Sequence, residues 1–142
     1  MFIGRYYHTI EEKGRVSLPK KFRESGAEWV ITRGLDGGLF LFLKKTFADE
    51  LKKLATQTLT KKAHRDFVRL MTNEAQELEL DRLGRILIPD YLRATAQLAK
   101  DVVIVGSYNY VEIWDVKKYH TYIDQLEKTA EATAEKVEVT NE

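Results

Sequence analysis

Two arginines each stand four residues after a carboxylate and directly after a glycine, in Glu11-Glu12-Lys13-Gly14-Arg15 and Asp81-Arg82-Leu83-Gly84-Arg85. Arginine presents a planar fork of donors that reaches phosphate oxygens or binds guanine O6 and N7 bidentately. A carboxylate four residues earlier can orient that fork or accept hydrogen bonds from the amides of the intervening turn. A glycine lets the backbone approach whatever the turn faces. The chemistry implied is anion recognition on a β-loop, with Arg15 and Arg85 as contacts and Glu11, Asp81, Gly14 and Gly84 as support. Lys13, Arg82 and Arg5 would add an attraction that carries no sequence information and fades with salt. A structural salt bridge is the plainer reading of either motif alone; finding the motif twice favours a binding face.

The motifs sit inside a longer repetition. Residues 11–23 are echoed by 81–93, with Gly14 and Gly84 70 residues apart. Val30-Ile31-Thr32-Arg33-Gly34 and Leu39-Phe40-Leu41-Phe42 are echoed at an offset of 72, which matches Gly34 to Gly106. Phe47, Leu51 and Leu54 correspond to Tyr119, Ile123 and Leu126 at that same offset, so a whole unit has been duplicated.

Each unit reads alike. A short strand (6–10; 77–80) leads through the glycine turn into an apolar strand (15–18; 85–88). Pro19 and Pro89 close that strand and start a short helix (20–25; 90–96), because proline presets φ for a first helical turn. A β-hairpin follows (29–33 with 39–43; 101–105 with 111–114), then an amphipathic helix (44–55; 117–134). Between the repeats Thr60 is placed to cap a further helix over 61–71, and the tail beyond Ala130 is expected to fray. Trp29, Phe47, Trp114 and Tyr119 read as core. Lys20, Lys21 and Arg23 fit either a phosphate-binding helix start or a solvated face.

The expected organisation is a first repeat at 5–47, a helical connector at 48–75, a second repeat at 76–119, and a C-terminal helix with frayed tail at 120–142. The fold class is α+β and β-rich. Each unit buries too little surface alone, so the two should pack their strands into one pseudo-two-fold core. Helical faces then remain for neighbouring copies, and a head-to-tail contact between unlike faces closes into a ring when its rotation permits.

The chain has 142 residues, 44% of them hydrophobic, enough to bury a core. It lacks cysteine, which removes disulfides and thiolate chemistry and suits a reducing cytoplasm. The start has no leader pattern, and no apolar run approaches the ~18 residues of a membrane span, so secretion and membrane insertion are not expected. Net charge is only +1, but basic residues crowd the early and middle chain while acids dominate after Glu112. Enzyme chemistry lacks its equipment: His8, His64 and His120 have no metal-ligand spacing, and there is no phosphate loop, dinucleotide fingerprint or nucleophile elbow. A hydrolase built on Glu11 or Asp81 would need an acid, whereas the neighbouring arginine favours the ionised form. No cofactor, metal or small-molecule substrate is expected. A self-assembling scaffold shares every fold argument and differs only in lacking a DNA ligand.

The doubled Gly-Arg-(Val/Ile)-x-(Leu/Ile)-Pro-x-x-(Phe/Leu)-Arg pattern, the Met1-Phe2-x-Gly4 start, the Asp81-x-x-x-Arg85 turn and the stretch Glu112-Ile113-Trp114-Asp115 resemble the MraZ family over roughly residues 1–124. The resemblance implies a double AbrB-like (SpoVT-AbrB) swapped-hairpin barrel with flanking helices, assembled into a ring-shaped homo-oligomer. It further implies binding to double-stranded DNA at short G-rich direct repeats in the promoter of the division and cell-wall gene cluster, its own gene included. Repression in the cytoplasm, at the nucleoid, is the usual result. The family motif is Asp-x-x-x-Arg in each half; here the first half departs from it with Glu11, one methylene longer.

Overall fold

The computed structural model describes residues 1–56 and 59–137. Its elements run β1 (Arg5–Thr9), a single 3-10 turn (Glu12–Gly14), β2 (Arg15–Ser17), α1 (Lys20–Arg23), β3 (Glu28–Arg33), β4 (Leu39–Leu43), α2 (Lys44–Ala55) and α3 (Lys62–Asn73). The second half repeats the order with β5 (Gln76–Glu79), β6 (Arg85–Leu87), α4 (Asp90–Thr95), β7 (Asp101–Gly106), β8 (Val111–Asp115), α5 (Val116–Lys128) and α6 (Ala130–Lys136). The chain is α+β and β-rich.

The repeats exchange strands. β1 pairs with β7 of the other repeat, and β5 pairs with β3, which gives one antiparallel sheet ordered β1-β7-β8-β4-β3-β5. The hairpins meet at its centre, where β4 pairs with β8 and Phe40 lies opposite Glu112. A separate ribbon, β2 with β6, is centred on Val16 opposite Ile86. Both central pairs join residues that the duplication makes equivalent, so the pseudo-two-fold axis passes through them. The sheet does not close on itself; the ribbon lies over one face instead.

Between sheet and ribbon lies the main core, where Val16, Trp29, Ile31, Leu41, Ile86, Leu92, Val102 and Ile104 are fully buried. Strand periodicity explains the selection, since alternate residues of β3 and β7 point inward. Phe2 joins this core edge-on to Phe22 at 5.2 Å, because the N-terminal segment bridges to Tyr108 and extends the sheet. The other face carries two smaller clusters. One unites Val30, Phe40, Phe42, Phe47 and Met71 under α2 and α3; the other unites Val103, Val105, Trp114 and Tyr119 under α5. Trp29, Phe47, Trp114 and Tyr119 are thus all buried.

Several local expectations need correction. Glycine matching sets Gly34 against Gly106, but in the sheet Arg33 opposite Leu39 corresponds to Gly106 opposite Val111. The strand before each hairpin is therefore offset by 73 residues and the strand after it by 72, so one residue is lost within the second hairpin loop. Glycines at a loop edge follow the turn and not the ladder, and the alternation of buried residues is the better guide. Thr60 does not cap α3: the cap is Lys61, without a side-chain hydrogen bond. The closing helix of the second repeat is broken at Thr129 into α5 and α6. The tail expected to fray is helical through Lys136; residues 138–142 of that tail lie outside the described residues, as do 57 and 58 of the connector.

Candidate nucleic-acid interface

The ribbon positions the two arginines. Val16 and Ile86 point into the core, so their strand neighbours must point the other way: Arg15 and Ser17 on β2, Arg85 and Leu87 on β6. Arg15 faces Leu87, and Ser17 faces Arg85. The arginines are therefore diagonal neighbours on one outward face, with α-carbons on the order of 7 Å apart. Because the strands are antiparallel, the turns that precede them leave the ribbon at opposite ends. Lys13 stands exposed at one end and Arg82 at the other.

The two turns share their backbone hydrogen bonds. Glu11 N–H donates to the Arg15 carbonyl at 2.7 Å and Gly14 N–H to the Glu11 carbonyl at 3.1 Å; the counterparts from Asp81 and Gly84 are both 3.0 Å. Gly14 (φ 83°) and Gly84 (φ 76°) are left-handed, and so is Lys13 (φ 65°). Their side chains differ. Asp81 Oδ1 accepts from the amides of Leu83 at 2.8 Å and Arg85 at 2.9 Å, while Oδ2 accepts from Arg85 Nε at 2.8 Å. These bonds, the Arg85 amide foremost, hold the Asp81 carboxyl below the usual carboxylate range. Glu11 instead reaches across the ribbon to Arg85 Nη1 at 2.7 Å. Arg85 is thus held by two carboxylates, and its side chain is 26% exposed. Among the described residues Arg15 has no ion pair.

A pair of arginines that sequence reasoning left undecided or unnoticed proves structural. Arg23, from α1, lies across the second repeat's turn and donates to the Leu83 carbonyl at 3.2 Å. Arg93, from α4, lies against Gly14 and pairs with Asp90. An arginine of the opposite repeat packs against each turn; a β-carbon on either glycine would meet that arginine, and on Gly14 the Ile88 carbonyl as well, while the left-handed backbone at both disfavours a side chain. Arg23, half-buried, thus has a structural contact that neither expectation included. The available signal was duplication itself, since an arginine stands four residues after proline in both halves.

Arg5 is not brought to this face. It begins β1, and at about 3.3 Å per residue it lies ~13 Å from the strand end that enters the turn. Its guanidinium sits over the Tyr119 ring, 5.2 Å from the centroid.

An arginine pair displayed on a two-stranded ribbon, flanked by basic turns, can take a phosphate or a base edge in a groove wide enough for the ribbon. No group of three or more potential metal ligands occurs among the described residues. No described helix is long and apolar enough to cross a membrane.

Comparison with known proteins agrees with the duplication. The family whose description is "MraZ protein, putative antitoxin-like" matches twice, over residues 1–70 and 71–140. The chain belongs to the MraZ family. Among its relatives, the transcriptional regulator MraZ of Moorella thermoacetica is 44% identical over 96% of each chain. That of Halothermothrix orenii is 42% identical over 97% of each, and that of Acetivibrio thermocellus 43% over 96% of each. At equivalent positions of the two matched halves, the Glu11 side chain behaves differently from that of Asp81.

Proposed function

We propose that the protein is a DNA-binding transcriptional regulator whose contact surface is the outer face of the β2–β6 ribbon. It acts in the cytoplasm, at the nucleoid, as a repressor of the division and cell-wall gene cluster, its own promoter included. The observation that carries this reading is the presence of Arg15 and Arg85 side by side on one outward face, with Lys13 and Arg82 at the ribbon's ends. The naming of its relatives as transcriptional regulators supports it. Arg15 and Arg85 would read guanines of short direct repeats, Lys13 and Arg82 would track phosphates, and Asp81 would preorganise its turn.

One ribbon offers few contacts, so affinity would come from several copies on tandem repeats spaced by about one helical turn of DNA. The helical faces support such a ring. In the first repeat α3 covers the outer sheet face, and buried Thr32 Oγ1 donates to the Met71 carbonyl at 2.9 Å. In the second repeat α6 is exposed throughout. The corresponding groove is open, lined by Val105, Trp114, Tyr119, Tyr122, Ile123 and Leu126. Residues 124–135, along its helix, carry four acidic residues against one basic; 44–73 carry eight basic against three. A neighbouring copy's α2–α3 face, with Leu70 exposed on it, complements that groove in charge and suits a head-to-tail contact.

A mobility-shift assay with the DNA upstream of the protein's own gene, in moderate salt and excess competitor, tests the DNA reading. A complex retained by the parent and weakened by Arg15→Ala is the expected result; equal retention of unrelated DNA defeats it.

A further inference from the structure

We propose that Glu11 makes the two arginines unequal: it holds Arg85 in reserve and leaves Arg15 free, so Arg15 engages DNA first and Arg85 follows by exchanging Glu11 for a group of the nucleic acid. The inference rests on the DNA-binding reading and concerns the order and strength of contacts within that face.

The two turns share their backbone hydrogen bonds and part at one residue, Lys13 being left-handed where Leu83 is not; their carboxylates differ as well. Asp81 is short enough to accept two turn amides and still meet its own repeat's arginine. Glu11, longer by one methylene, makes neither amide contact and bonds the other repeat's arginine at 2.7 Å. Arg85 thereby has Nε committed to Asp81 and Nη1 to Glu11, one atom of each of its two bidentate edges, Nε/Nη2 and Nη1/Nη2. Arg15 has no carboxylate partner among the described residues.

The Glu11 contact is a competitor and not a lock. Glu11 is 50% exposed, and an exposed ion pair changes an equilibrium by about fivefold at most. The Asp81 contact to Nε can persist while Nη1 turns to DNA, so Asp81 orients Arg85 whereas Glu11 occupies it. Glu11 is thus a positioning residue acting through Arg85.

The test measures binding of the full chain to the fragment upstream of its own gene, as a function of salt, for the parent, Glu11→Gln, Glu11→Asp, R15A, R85A and the double variant E11Q/R85A. Freeing Arg85 is expected to raise affinity by about two- to fivefold in E11Q and to steepen the salt dependence by up to about one counterion. In the R85A background E11Q is expected to change nothing. R15A should weaken binding more than R85A does. Glu11→Asp, which matches Asp81 of the second repeat, should bring its carboxylate to Arg15 and narrow the gap between R15A and R85A. If E11Q strengthens binding equally with and without Arg85, Glu11 merely repels DNA and the proposal is overturned; an E11Q affinity equal to the parent's overturns it as well. A parent chain that retains no fragment overturns the DNA reading itself, a result distinct from either of these.

Discussion

The guanidinium of Arg23, from the first repeat, lies where a β-carbon on Gly84 of the second would have to sit. Gly84 is also left-handed, at φ 76°, so a side chain there meets two separate penalties. Gly84→Ala should cost at least about 1–2 kcal/mol from the backbone conformation alone, with the collision adding to it. In an Arg23→Ala background the collision disappears and only the backbone penalty remains. Urea denaturation of the four proteins of this cycle should therefore give a smaller Gly84→Ala effect without Arg23; equal effects would show that the brace is slack.

Lys13 and Arg5 were grouped by charge, yet the fold sends them to different places. Lys13→Ala should weaken promoter binding at every sequence and lower the salt slope by about one. Arg5→Ala should leave both unchanged, since its guanidinium rests on Tyr119. Titration of the fragment at several salt concentrations separates the two.

Glu112 and Asp81 should respond to pH in opposite senses. Burial pushes the Glu112 carboxyl up, with Asp36 adding to the shift and the Ser107 hydroxyl, 2.9 Å away, opposing it. The folded chain then holds this proton more tightly than the unfolded chain does, and stability falls as pH rises from the ordinary carboxylate range through the folded value. Glu112→Gln should therefore stabilise the protein most at neutral pH, the gain vanishing in acid. Asp81 is depressed, so its contribution is present above the ordinary range and lost as pH falls through the folded value. Asp81→Ala should do most harm at neutral pH and least in acid. Denaturation midpoints across pH report both signs.

Leu126 stands at the rim of the open groove and is 38% exposed. Leu126→Glu places a charge in the proposed contact between copies while burying nothing new within one chain. The expected outcome is an unchanged thermal melt of the diluted protein and a scattering mass that drops toward the 16.5 kDa of one chain. A parent chain of that mass at micromolar concentration would rule out the ring.

How much of this could be read from residues alone varied with the range of the interaction. The duplication and the hairpins were legible, because short apolar runs such as Val30 to Thr32 or Val102 to Val105 bounded by glycine turns are a local property. So was the shared face of Arg15 and Arg85, which follows from strand parity once Val16 and Ile86 are taken as core. The one-residue slip between hairpins was hidden by glycines that align by type and not by partner. The Arg23 and Arg93 braces and the reach of Glu11 to Arg85 depend on contacts between repeats, which no spacing within one repeat reveals. The separation of Arg5 from the pair was not legible from charge alone, because distance along an extended strand grows quickly.

The strand exchange bears on how the polypeptide is made. When the first seventy residues or so have left the ribosome, β1 and the outer edge of β3 still lack their partners, β7 and β5, which are yet to be synthesised. The early product therefore exposes these edges, those of β2 and β4, whose partners β6 and β8 are likewise unmade, and half of a core, the condition under which nascent chains stick to one another or recruit chaperones. Completion of the first half must wait for the second to emerge.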